Sequence, residues 1–437
     1  MKSFYKKITP AVSIGISGVR RAGQTASVLS RTGLEWIVGT RPSTPELARR
    51  AFERMGATYI KLGQLIASSP SMFPAAYVKE FQKCLDQTEP VDFRQMEKIL
   101  KDELGPDYIP ELFSHIDPQP LASASIAQVY AARLATGEDV VIKIQRPGVK
   151  EILVTDLNFL YYSAILFEHL LPRLKHASIA GILSEIRKTV LEECDFIKEA
   201  EHIDIFRNFL NNQGHSQVVA PRVYHQATSK RVLTMERLYG IQMTDREKFL
   251  DSTDTPQEIL SSAFNIWIQS ISDCDLFHAD LHAGNLLILN DGRVGFIDFG
   301  IVGRISDTTK KAVNALILAM MMEDFESMAE AMLSIGMTRK TVNTRELAKD
   351  LENLYNTEKN FAENYPPTIS GDGTEPDQFL LEIVRIAEVH GIRFPREFTL
   401  LLKQLLYFDS YADLFIDMDD FMDDMTLNFE KPGRNSG

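Results

Sequence analysis

The sequence predicts an α+β fold of two lobes, the first mixed and the second mostly helical, preceded by a helical N-terminal extension. Three observations carry this. Strand-like runs gather between Leu112 and Met235, long helical patterns dominate from about Thr244 onward, and another helical pattern spans Thr44 to about Leu104. We accordingly divide the chain into an arm (1–39), an extension (40–104), a mixed lobe with a helical insertion (105–240), a helical lobe (241–410) and an acidic tail (411–437).

In the arm, Lys2, Lys6, Lys7, Arg20 and Arg21 flank a mild apolar run that lacks the solid core and cleavage site of a signal peptide. It reads as a frayed or packed lead-in, with a basic arm that touches a membrane surface as the alternative. In the extension, Pro45 opens a helix continuing through Glu46 to Met55, and a second periodic run crosses Ala75 to Leu85. The mixed lobe has strand signals at Val129 to Leu134, Asp139 to Gln145 and Arg231 to Met235. Ala135-Thr136-Gly137-Glu138 joins the first two as a hairpin, and Val149 to Leu210 is mostly helical. The helical lobe is interrupted once, where Leu286-Leu287-Ile288 and Val294 to Ile297 flank the turn Asn290-Asp291-Gly292. Glu363 to Asp377 reads as a loop, and Asp417 to Asp424 as a solvated tail. The apolar runs Phe159 to Leu171 and Ala315 to Met322 are shorter than the roughly 20 residues a bilayer span needs.

Composition narrows the function. With 437 residues, 44% hydrophobic and 24% charged, the chain can fill a folded core. The 47 Lys plus Arg against 60 Asp plus Glu give a net charge of -13, which argues against a broad nucleic-acid surface. Cys84, Cys194 and Cys274 lie far apart without metal-ligand spacing, the pattern of buried thiols in a cytosolic protein.

The chemistry concentrates in His278-Ala279-Asp280-Leu281-His282-Ala283-Gly284-Asn285, followed by Asp298-Phe299-Gly300. An Asp five residues before an Asn, then a strand ending in Asp-Phe-Gly, is how a protein kinase places a hydroxyl and holds two Mg²⁺. The predicted fold is therefore a bilobal, protein-kinase-like one. Asn285 and Asp298 are the expected Mg²⁺ ligands, being oxygen donors to a hard cation. Asp280 is expected to orient, or take a proton from, the attacking hydroxyl or water.

Upstream, Val140-Val141-Ile142-Lys143 reads as a strand on which Val141 and Lys143 share a face, so Lys143 can reach ATP phosphates. Glu199, on a helical stretch, is the candidate to hold that ammonium. The small residues Ala122, Ser123, Ala124 and Ser125 stand where backbone must approach phosphate, in a loop stiffer than a glycine cradle. Met235 is expected at the adenine as gatekeeper, with backbone groups from Glu236 to Leu238 reading the purine edge.

These residues together resemble the UbiB/ABC1 (ADCK) family of atypical, protein-kinase-like ATPases. The family's Lys-x-Gly-Gln stands as Lys61-Leu62-Gly63-Gln64, its Ala-rich loop as Ala122 to Val129, and its Glu-x-Asp as Glu193-Cys194-Asp195 ahead of Glu199-Ala200. Its catalytic and metal motifs match Phe277 to Asn285 and Asp298 to Arg304. The resemblance covers roughly Thr44 to Leu318. There are departures: Leu281 and Ala283 replace the usual prolines, Ser123 replaces an alanine, and Ser69 and Ser71 replace an Arg and an Asp, which bears on how the extension packs.

The resemblance implies that Lys61 and Gln64 lie near Glu193 and Asp195, with their helix occupying the place of a peptide substrate. ATP hydrolysis, or phosphorylation of a small or lipid-like molecule, is then expected instead of ordinary protein phosphorylation. It further implies ATP and Mg²⁺ as cofactors and a role in isoprenoid quinone (ubiquinone) biosynthesis, with a quinone precursor, related lipid or biosynthetic protein as partner. The proteobacterial branch's C-terminal membrane helices have no counterpart, so the expectation is a cytoplasmic protein in reversible, peripheral contact with the inner face of a membrane. Two other classes stay open: a nucleotide-gated lipid- or partner-binding protein, and a small-molecule phosphotransferase, against which Lys61-Leu62-Gly63-Gln64 and the Ala-rich loop speak.

Overall fold

The computed structural model describes residues 43–67, 75–81, 83, 89–170, 179–245, 248, 256–338, 342–364, 376–395, 397–402 and 404–405. The arm, the acidic tail, most of the loop after Glu363, and Ser69, Ser71 and Cys84 lie outside them. The described residues form two compact units, one comprising those up to Glu201 with Val223–Arg237, the other His202–Arg222 with those from Leu238 onward.

In the first unit, Ser43 caps the helix Thr44–Met55, accepting from the N–H of Glu46, with proline in the first turn. The helix Ala57–Ala67 follows and carries Lys61. Its Tyr59 and Leu62 pack with Val149, Leu153 and Leu157 of the long helix Val149–Leu170, and with Ile186 and Val190 of the helix Ile179–Glu192. A buried hydrogen bond, Thr58 Oγ1 to Asp156 Oδ2 at 2.7 Å, ties the helix Ala57–Ala67 to the helix Val149–Leu170. The extension is thus part of the unit's own core.

The sheet of this unit is antiparallel, in the order β1 (Phe113–Ser123), β2 (Ala127–Leu134), β3 (Asp139–Gln145), β5 (Val232–Glu236). Gly137, with φ 105°, makes the expected β2–β3 turn in a conformation open to glycine. Val140, Ile142 and Ile144 are fully buried with Met96, Ile99 and Leu100 of the helix Phe93–Leu104. One expectation changes here. Ala122 and Ser123 are strand residues, opposite Val129 and Gln128, and the turn shrinks to 124–126 because Ala124 N–H already bonds Ala127 O at 2.8 Å.

In the second unit a four-stranded sheet runs β4 (Val218–Val219), β9 (Val294–Phe296), β8 (Leu286–Leu289), β6 (Gly240–Gln242). The β8–β9 hairpin is the one read from the turn Asn290-Asp291-Gly292, with Gly292 at φ 82°. The sequence placed His202–Arg222 in the mixed lobe; it groups instead with this unit. Phe206 stacks on Phe296, 5.7 Å between centroids, and β4 pairs with β9, so its apolar partners belong to the hairpin. The helices Pro256–Asp273, Asp307–Met321, Phe325–Ile335, Thr344–Asn364 and Pro376–Val389 make up most of the rest. No helix among the described residues is long and apolar enough to cross a membrane.

Candidate active site

Lys143 sits where the alternation of β3 puts it. With Val140, Ile142 and Ile144 turned into the core, Val141 and Lys143 share the other face. Lys143 Nζ donates to both oxygens of Glu199, at 2.8 and 3.1 Å, and stands 5.4 Å over the Phe196 ring. Glu199 occupies the first turn of the helix Phe196–Gln213, the end at which a carboxylate is favoured. Its side chain is only 3% exposed, which makes the pair a buried one whose partners depend on each other.

The Ala-rich segment is held by a residue to which sequence reasoning gave no role. Arg146 Nε donates to Ala124 O at 2.7 Å, and Nη2 donates to Ser123 Oγ and to Glu89 O, both at 2.8 Å. Its own N–H bonds Ile126 O at 2.8 Å. Ser125 is buried. Arg146 thus braces both sides of the turn, the β1 side with its planar fork and the β2 side with its own backbone N–H. The only available clue was position: an Arg three residues after Lys143, ahead of Pro147-Gly148, reads as an ordinary surface turn.

Lys61 Nζ lies 3.0 Å from Glu193 Oε2, the proximity that the resemblance implied. Asp195 opens the next helix, its carbonyl accepting from Lys198 and Glu199 N–H, and one side-chain oxygen is buried without a hydrogen-bond partner. Gln64 shares the helix of Lys61, but its side chain lies outside the described residues. Cys194, between the two acids, is an inert thiol that burial pushes up to about 12. Met235 is buried in β5 opposite Val141, and Glu236 is opposite Val140. The chain leaves the first unit after Arg237, and Leu238 belongs to the second.

The second unit carries the acids. Strand β7 (Phe277–His278) pairs with β10 (Val302–Gly303), so close that a methyl group at Gly303 would lie 2.1 Å from the Phe277 ring. Trp267 Nε1 donates to His278 O at 2.8 Å and anchors the strand from the helix Pro256–Asp273. His278 is wholly buried, and its Nδ1 accepts the N–H of Asp280 at 3.1 Å. The ring proton is therefore on Nε2, which donates to Ile297 O at 3.2 Å. Burial holds the imidazole neutral, pushing its pKa down to about 4 against the opposing pull of Asp280. Its ring meets that of Phe299 edge-on at 4.6 Å.

Asp280 is bracketed by further bonds. Asn285 Nδ2 donates to Asp280 O at 2.8 Å, and Gln404, fully buried, bonds the peptides on either side, accepting from Leu281 N–H and donating to Ala279 O. His282 Nδ1 accepts from Gly284 N–H, leaving its Nε2 3.8 Å from Asp280 Oδ2. Asp298 takes the left-handed conformation at φ 61°, which aspartate enters more readily than most non-glycine residues. Its Oδ1 accepts from Gly300 N–H at 3.3 Å, and His202 Nδ1 donates to Phe299 O at 3.0 Å.

These residues fit a magnesium ion. Because the nitrogen of the Asn285 amide is committed to Asp280 O, its oxygen is the end left for a hard cation, and Asp298 adds a carboxylate. One or two such protein oxygens suffice for Mg²⁺, which takes phosphate and water oxygens for the rest.

Comparison with known proteins agrees with the motifs. Residues 83–332 match the model of the ABC1 atypical kinase-like domain. The chain belongs to that family. An uncharacterised aarF domain-containing protein kinase of Arabidopsis thaliana, described as chloroplastic, is 42% identical over 98% of this chain and 86% of its own length. A probable protein kinase UbiB of Azotobacter vinelandii is 30% identical over 69% of this chain and 57% of its own. Among solved structures, a Mycobacterium tuberculosis protein in complex with erythromycin matches with TM-score 0.55 at 21% identity, covering 85% of this chain and 92% of that one, a likeness of fold. The ABC1 chain is thus an α+β, kinase-like protein with a helical N-terminal extension.

Proposed function

We propose that this ABC1-family chain binds Mg-ATP and uses it as an ATPase or as an atypical kinase of a small or lipid-like molecule, in support of isoprenoid quinone synthesis or related lipid handling. The observation that carries the reading is the Lys143–Glu199 pair at 2.8 Å, which kinase chemistry needs for the α- and β-phosphates. In this reading Lys143 neutralises phosphate charge, and Asn285 and Asp298 supply oxygens to Mg²⁺, the ion that offsets charge on the phosphates. Asp280 orients the attacking hydroxyl or water and takes its proton. The Lys61–Glu193 contact supports a fixed extension and so speaks against a peptide substrate.

Contact with a membrane would be peripheral and reversible, drawing on basic patches against a net charge of -13. The test is phosphate release from Mg-ATP, with and without liposomes and quinone-precursor mimics, while labelled phosphate is followed. Release lost in Asp280→Asn supports the ATPase, and label on the small molecule supports the kinase. Nucleotide binding with neither reaction above the Asp280→Asn background leaves a nucleotide-gated binding protein.

A further inference from the structure

Gln404 lies 119 positions beyond Asn285, in the helical residues 404–405 near the C-terminal end of the described chain, within the apolar run Leu400-Leu401-Leu402-Lys403-Gln404-Leu405-Leu406. It is 0% exposed. A lone amide in such a run has to find partners or cost the stability of a buried, unsatisfied group, about 1–3 kcal/mol. Gln404 finds both on the catalytic segment. Its Oε1 accepts from Leu281 N–H at 2.6 Å, and its Nε2 donates to Ala279 O at 2.9 Å. One planar group therefore fixes the peptides on both sides of Asp280. The bond to residue 281 needs an N–H, which the leucine of this chain has and a proline would lack.

We propose that Gln404 is a positioning residue for Asp280: it sets the orientation of the catalytic carboxylate and thereby turnover, without taking part in nucleotide binding. Three features support this. First, the two bonds differ in direction, donor to Ala279 and acceptor from Leu281, and the primary amide of Gln404 supplies both ends from one planar group without carrying charge. Second, the other supports of the segment hold different atoms: His278 takes the Asp280 N–H and Asn285 takes the Asp280 carbonyl. With Gln404 the peptide groups flanking the Asp280 α-carbon are fixed on every side. Third, Gln404 is neutral, so it holds the backbone without adding a counter-charge that would blunt the carboxylate as a base. Geometry of this kind matters steeply, because an error of about 1 Å in a reacting group can cost about a hundredfold in rate.

The inference rests on the Mg-ATP reading above and is tested separately from it. In the full-length protein, Gln404→Met keeps the unbranched length but offers no donor to Ala279 O and only a weak sulfur acceptor to Leu281 N–H, whereas Gln404→Leu removes both bonds. Phosphate release at saturating Mg-ATP, Mg-ATP affinity and hydrogen exchange over 277–285 are measured for wild type, both variants, Asp280→Asn and the double variant Gln404→Leu with Asp280→Asn. The expectation is a ten- to hundredfold fall in turnover, affinity within threefold of wild type, faster exchange over 277–285, and a double variant no slower than Asp280→Asn alone. Wild-type turnover in a folded Gln404→Leu protein, a loss of affinity matching the loss of rate, or additive losses in the double variant would each overturn the proposal. If instead the wild type releases no more phosphate than Asp280→Asn, the Mg-ATP turnover reading fails and takes this one with it. Should Gln404→Leu not fold, Gln404→Met alone decides by the same split between rate and affinity.

Discussion

The two units hold their functional groups by opposite means. In the first, Lys143 is fixed by the charge of Glu199 and Lys61 by that of Glu193, and the arginine fork of Arg146 braces the turn. In the second, the segment around Asp280 and Asp298 is held by neutral partners: the Trp267 indole, the unprotonated His278 ring, and the amides of Gln404 and Asn285. On the proposed Mg-ATP reading, the difference follows from what each would present. A cation that meets phosphate can be kept in place by a carboxylate that shares it. A carboxylate that is to meet a metal or a proton is served by support at its backbone, and the peptides on both sides of Asp280 are what these neutral groups hold.

The largest effect should come from breaking the charged arrangement. Lys143→Met leaves Glu199 buried without its counter-charge, and severing a buried pair from one side costs about 3–5 kcal/mol. Denaturant unfolding should show that loss, and Lys143→Met combined with Glu199→Leu should recover much of it while nucleotide affinity stays low. If the single variant is as stable as wild type, the first unit does not depend on its ion pair.

The neutral arrangement should reveal itself through pH. His278 carries a folded pKa of about 4 against an ordinary value of 6.5. The unfolded chain then binds the extra proton first, so stability is present in full above pH 6.5 and falls as pH drops from 6.5 toward 4, by about 3 kcal/mol for this group. In His278→Phe this part of the acid sensitivity should vanish from unfolding curves collected between pH 7 and 4. An unchanged slope would mean that His278 titrates normally, and the neutral support of Asp280 would have to be abandoned.

How much of this the sequence revealed also divides along the comparison. Lys143 and Glu199 were legible because a charged residue in an apolar strand demands a partner and the order of the motifs supplied it, whereas the nearness of Lys61 to Glu193 came from the family resemblance alone. Strand parity placed Lys143, and turn residues placed both hairpins. Gln404 and His202 were not legible, since each acts on a backbone group about 100 positions away or more, and no local spacing records that. Trp267 was hidden differently, as an apolar helix residue whose one polar atom does the work. The Ala-rich segment was located correctly but read as a loop. Its alanines fit the strand pairing opposite Val129, and nothing in small side chains distinguishes close approach to a ligand from close approach to a neighbouring strand.

The finest test concerns the fork itself. Arg146→Lys keeps the positive charge but cannot reach Ala124 O, Ser123 Oγ and Glu89 O together from one planar group, because an ammonium is a point donor on a flexible stem. If charge alone mattered, the variant would behave as wild type. If the fork matters, the turn at 124–126 loosens while β1 and β2 stay paired, and Mg-ATP affinity falls by about tenfold, or about 1.4 kcal/mol. Turnover at saturation should change little, since the Asp280 segment is held by its own neutral bonds. Affinity and saturating rate are measured on the same samples, with Arg146→Gln as the variant that loses both charge and fork. A drop in Arg146→Gln that Arg146→Lys fully avoids would assign the effect to charge, and the first unit would then hold its turn by electrostatics alone.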